Sequence, residues 1–100
     1  VSKRPAARPA PRTVRVVVDE GDFAGWEVTA KADFPARYLA DLQSGRIDRI
    51  IGVLDAIVVD HNLPDEGDEV AVNMGDVSPY AGLLKIANDL FDAIGKLPNR

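Results

Sequence analysis

Few side chains in this sequence have the chemistry to build a reactive site. His61 is the single histidine and there is no cysteine. That excludes a site built on two imidazoles, a thiolate metal site, a disulfide scaffold and a cysteine nucleophile. His61, with Asp55 and Asp60 close in sequence, is the one candidate general base. No serine near it has the context of an activated nucleophile, and a histidine after a helix more often meets the C-terminal carbonyls or solvent. Asp65-Glu66-Gly67-Asp68-Glu69 gathers four carboxylates around a glycine, the oxygen-rich composition of a calcium loop. Counted from Asp60, the sixth position is Asp65, where the calcium-binding EF-hand loop needs glycine, so the stretch reads as a solvated surface loop. Gly21-Asp22-Phe23-Ala24-Gly25 lacks the spacing of a phosphate-binding fingerprint and reads as a hairpin turn. Phe23, Trp26 and Phe34 could stack nucleobases, but among so many acids they read as packing residues. With no catalytic constellation, the expectation is a protein that is not an enzyme and needs no metal or cofactor.

Charge separates the chain into two parts. Lys3, Arg4, Arg8, Arg12 and Arg15 give the first fifteen residues a charge of +5, whereas residues 16–100 carry −9, for a net −4. An acidic body repels phosphate backbones, which argues against nucleic acid as a partner of the folded part. No apolar run approaches the roughly 20 residues that span a bilayer, and the basic N-terminus lacks the apolar core of a secretory signal. A reducing, cytoplasmic setting away from the membrane is the expectation.

The elements that would hold any site follow from periodicity. Residues 1–12 mix three prolines with alanine and basic residues, and read as a disordered basic tail. A single domain is expected over 13–98. Thr13-Val14-Arg15-Val16-Val17-Val18 is rich in β-branched residues, and Trp26, Val28 and Ala30 alternate with Glu27, Thr29 and Lys31. Together they predict an antiparallel hairpin over 13–32, with one wet face, whose other face must pack on something. Tyr38, Leu39 and Leu42 predict a short helix near 35–43, stopped by Ser44-Gly45. Ile47, Ile50, Ile51, Leu54 and Val58 fall at helical spacing and predict a second helix over 46–60, although the β-branched content leaves a strand over 50–59 as the alternative. Ser78-Pro79 reads as a helix start, and Tyr80, Leu83, Leu84, Ala87, Phe91 and Ile94 predict a third helix over 79–97. The expected fold is α+β: an N-terminal hairpin packed on a small bundle of about three helices.

Both long helices carry an apolar arc of about 160°, wider than a minimal amphipathic face. A domain this small buries only a modest share of its surface. Either the arcs close into one core, or part of the last one stays exposed as a partner face. On the second outcome the partner-binding residues are Leu83, Ile86, Leu90 and Leu97.

Several motifs then carry a resemblance. Gly25-Trp26-Glu27-Val28-Thr29 lies on the hairpin, Asp41-Leu42-Gln43-Ser44-Gly45 ends the short helix, and an apolar helix runs into Val58-Val59-Asp60-His61-Asn62-Leu63. An acidic glycine loop and a Ser78-Pro79-led helix follow. Over residues 14–97 this order resembles the small tail assembly chaperones of long-tailed, siphovirus-type bacteriophages. The resemblance implies a non-enzymatic protein of the host cytoplasm that coats the tape measure protein and keeps it soluble until the tail tube protein polymerises around it. It also implies self-association along that client, with the tube protein as a further partner, and absence from the finished virion. A head–tail connector or tail completion protein is the second reading. A small nucleic-acid-binding regulator using the basic arm is the third.

Overall fold

The computed structural model describes residues 4–7 and 10–98; the expected tail at 1–12 therefore lies partly outside the described residues. Within it, residues 4–7, 10 and 11 are exposed and form neither helix nor strand. Arg12 is anchored to the other end of the chain, its Nη1 donating to the Pro98 carbonyl at 3.0 Å.

The fold is α+β. Strand β1 (Thr13–Val17) and strand β2 (Glu27–Lys31) form the N-terminal hairpin. Helices α1 (Arg37–Gln43) and α2 (Ile47–Ile57) follow, then strand β3 (Val58–His61), a 3-10 turn (Met74–Asp76) and helix α3 (Tyr80–Gly95). The sheet is antiparallel in the order β1-β2-β3. Alternation decides its faces. Val14, Val16, Val28 and Ala30 point inward and are buried, while Thr13, Arg15, Val17 and Lys31 face solvent. Arg15 Nη2 reaches Glu27 Oε2 at 2.6 Å across that outer face. The hairpin is closed by Val18 and Trp26, with Val18 N–H donating to the Trp26 carbonyl at 2.9 Å. Gly25 holds φ +93° in the turn, a conformation that L side chains rarely adopt.

The helices cover the inner face. α3 lies along β1, and α1 and α2 pack on α3, so the buried side chains of all these elements form one cluster. Ile50, Val53, Leu54 and Ile57 supply α2's share, as their spacing predicts. Gly45, at φ +73°, takes the left-handed position after α1. Ser44 bridges the two helices locally: its Oγ donates to the Asp41 carbonyl at 2.7 Å and accepts from Arg46 N–H at 3.1 Å.

Two helix boundaries differ from expectation. The helix expected over 46–60 stops at Ile57, and Val58–His61 becomes the third strand, so the sheet is larger than a lone hairpin. Without a third strand the edge of β2 away from β1 would be left with unpaired N–H and C=O groups, and the segment from β-branched Val58 to His61 satisfies them. The register slips between Thr29 and Ala30, which pair with Asp60 and Val58. Val59 is the extra residue of that bulge and is 54% exposed. The helix expected over 79–97 runs from Tyr80 to Gly95, with extended Pro79 as its N-cap and no side-chain cap from Ser78. Leu97 lies beyond it.

Candidate functional site

The predicted partner face is not a surface. Leu83 is 2% exposed, and Ile86 and Leu90 are fully buried. Leu97 is half-buried past the helix end. The expectation that these four form an exposed binding stripe is therefore corrected. α3 is flanked by β1 on one side and by α1 and α2 on the other, so a wide apolar arc is what its packing consumes.

The flank of the same helix does reach the surface. Leu84 and Phe91 are half-buried and Asn88, between them, is exposed. Their spacing of four and three residues puts them in one row along α3. Leu42 of α1 and Ile50 of α2, only 4% and 2% exposed, lie at the bottom of a groove of about 360 Å³ beside that row. Its floor is apolar and its rim carries Gln43 and Asp92. The signal for this flank was present in the periodicity, where Leu84 and Phe91 belong to the arc, but the spacing alone does not say which edge the neighbours leave open.

The candidate proton-transfer residues are not brought together. His61 shares the register of inward-facing Val28, whereas Asp60 pairs with Thr29 on the opposite face. The His61 Nδ1 accepts the Leu63 N–H at 3.1 Å, which occupies that ring nitrogen as an acceptor. Asp55 is committed elsewhere: its Oδ1 accepts the Met74 N–H at 2.9 Å and holds the 3-10 turn against α2. The acidic loop is folded on itself. Asp65 Oδ1 accepts N–H groups from Gly67 at 2.8 Å and Glu69 at 3.1 Å, and Asp65 N–H donates to the Glu69 carbonyl at 2.7 Å. Among the described residues, no group of three histidine or carboxylate side chains converges as metal ligands do.

The aromatic residues pack, as their acidic surroundings suggest. Phe23 and Trp26 have ring centroids 4.9 Å apart. The Trp26 ring lies on α3 directly over Gly82, whose missing side chain makes room for it.

Asn62 is the residue whose importance the sequence does not reveal by type or spacing. Its Nδ2 donates to the Gly25 carbonyl at 2.8 Å, and its Oδ1 accepts the Glu27 N–H at 2.7 Å. Its own N–H donates to the Glu27 carbonyl at 3.2 Å, and Leu63 beside it is fully buried. The stretches Gly25–Glu27 and Asp60–Leu63, far apart in sequence, are thus one hydrogen-bonded unit.

The described residues include no helix long and apolar enough to cross a membrane. No family model, no curated protein and no solved structure matches the chain.

Proposed function

We propose that the protein is a tail assembly chaperone of a long-tailed bacteriophage, a non-enzymatic protein of the host cytoplasm that keeps the tape measure protein soluble while the tube protein assembles around it. The observation that carries the reading is the groove beside α3. Leu84, Asn88 and Phe91 offer a row at helical spacing, with buried Leu42 and Ile50 beneath. An amphipathic client helix fits such a groove through its own apolar stripe. The contact is shallow and therefore reversible, which a chaperone released by the growing tube requires. The acidic body, −9 over residues 16–100, keeps the loaded protein in solution. The pairing of Gly25–Glu27 with Asn62 also supports the reading, because the two motifs that carry the resemblance form one structural unit.

The test is co-expression with a tape measure protein of a long-tailed bacteriophage. The wild-type protein is expected to bring it into the soluble fraction as a complex. Asn88→Arg places a long charged side chain in the groove from an exposed position and is expected to lower recovered complex about tenfold, a loss near ~1.4 kcal/mol. A client that stays insoluble with the wild-type protein overturns the function, and full recovery with Asn88→Arg overturns the groove. A protein inventory of purified virions separates this reading from a connector, since a connector stays in the particle.

A further inference from the structure

A second groove, of about 510 Å³, lies where β1 begins and β2 ends. Phe34, Pro35, Tyr38 and Val59 give it largely apolar walls. The Phe34 and Tyr38 rings are packed on each other, with centroids 5.9 Å apart, so this wall is formed before anything binds. Val59 reaches the groove for a separate reason. It is the residue that the register slip between Thr29 and Ala30 leaves without a partner on β2, and it is 54% exposed. Bulges often re-aim a side chain beside a site, and this one turns a β-branched aliphatic group toward the groove.

Charge here runs against the trend of the molecule. Residues 16–100 carry −9, yet Arg12 and Lys31 line the groove with a single carboxylate, Asp33. A third cation, Arg37, lies 5.1 Å from the centre of the Tyr38 ring. Among the described residues, none of these three cations enters an ion pair. Arg12 gives one N–H to the Pro98 carbonyl at 3.0 Å, which holds the guanidinium in place and uses only part of its donor set. An occupant must therefore present an apolar side chain to the walls and negative charge to Arg12 and Lys31. A short acidic stretch of protein does both. A nucleic acid strand fits less well, because its charges continue past the groove and meet the acidic body, and the two rings face each other instead of standing apart to take a base.

We infer that this groove docks an extended acidic segment of a different protein. One aliphatic or aromatic side chain of the segment anchors against Tyr38 and Val59, and its carboxylates pair with Arg12 and Lys31. A single anchor and two solvent-exposed ion pairs make the contact salt-sensitive and weak, with a Kd of about 0.1–1 mM. Neither the α3 groove nor the tape measure protein enters this inference, which stands or falls apart from the chaperone reading.

The experiment is an amide NMR titration of the full chain with a synthetic peptide that has leucine at its centre and glutamates on both sides. The amides of Lys31, Phe34, Ala56 and Val59 are expected to shift together and to saturate in that concentration range. Lys31→Glu and Val59→Glu, both at exposed positions, are each expected to weaken binding at least tenfold, with unchanged thermal melts showing that the variants fold. Asp33→Asn removes the opposing carboxylate and is expected to tighten binding about two- to fivefold, a gain that damage to the fold would not produce. No shift at these amides overturns the proposal. So do shifts centred on Leu84, Asn88 and Phe91, which would place the peptide in the α3 groove, and equal binding of a peptide with serine for leucine or glutamine for glutamate. The same shifts on concentrating the protein alone would seat a second copy there and overturn it, as would tighter binding of a single-stranded oligonucleotide at these amides.

Discussion

Replacing Gly82 with alanine isolates one packing decision in this fold. A Cβ built at Gly82 would overlap three carbons of the Trp26 indole, the farthest of them, Cε3, at 2.8 Å. Carbon atoms settle at about 3.5–4.0 Å, so the ring must move by roughly an ångström or more. It is not free to do so, because Phe23 packs on it at 4.9 Å. Overpacking of this kind costs about 1–3 kcal/mol, and loss of the aromatic pair adds about 0.5–1.5 kcal/mol. Against this, alanine inside a helix is favoured over glycine by about 1 kcal/mol. The net expectation is destabilisation by about 1–3 kcal/mol, a fall in melting temperature of about 5–20 °C for a domain of this size. Gly52 provides the opposite case within the same protein. It lies in α2 with nothing within 4 Å of the place a methyl group would take, so Gly52→Ala is expected to gain the full ~1 kcal/mol. Urea unfolding followed by far-UV circular dichroism measures both variants, with or without Trp26, the single tryptophan. In a Trp26→Leu background the penalty at Gly82 should vanish and the helix preference should reappear, a coupling that a double-mutant cycle reads directly. If Gly82→Ala stabilises as much as Gly52→Ala, the close approach of the indole to α3 is wrong.

The other expectations concern the remaining joints of the structure. Asn62→Ala removes two hydrogen bonds to the hairpin and should cost about 1 kcal/mol in chemical denaturation, with faster amide exchange at Glu27 as the local sign. Ile86→Asp places a carboxylate in a fully buried site and should lower stability by more than about 4 kcal/mol, so its circular dichroism should show an unfolded chain rather than a folded one lacking a partner. Lys85 donates to Asp89 at 3.0 Å, and that hydrogen bond and charge, with Glu20 and Asp19 adding to them, raise its pKa above the ordinary 10.5. A raised pKa in the folded state favours folding while the amine is protonated in both states, so the contribution is complete below about pH 10.5 and fades as pH rises through the folded value. Lys85→Met should therefore flatten the alkaline limb of the stability profile.

Local patterns predicted most of the elements because the forces behind them are local. The alternation of Trp26, Val28 and Ala30 with Glu27, Thr29 and Lys31 is a statement about which face of a pleated strand is dry, and β2 obeys it. The spacing of Ile50, Leu54 and Ile57 defines one side of a helix whatever it packs on, and those residues are buried. At the joint between α2 and β3 the same reasoning fails. Val58 continues the apolar stripe, so a period of 3.6 extends through it without a break. What ends the helix is the edge of β2, far earlier in the chain, whose backbone groups need a partner. The local traces of the change were the β-branched content, which left a strand over 50–59 as the alternative, and Val59, apolar on the far side of the expected helix.

The amino-acid sequence alone determined the charge division into a basic arm and an acidic body, the α+β class, the inner and outer faces of the hairpin, and which helical sides are greasy. It could not determine whether a greasy side meets water. That depends on how many neighbours surround a helix, and α3 has a sheet on one flank and two helices on the other, so Leu83, Ile86 and Leu90 vanish into the core. Tertiary structure likewise decided where unpaired apolar surface remains: along Leu84 and Phe91, at Val59, and at Val70 and Val72. Exposure is a property of the assembled packing, summed over contacts between residues distant in the chain, and no window of local sequence contains it.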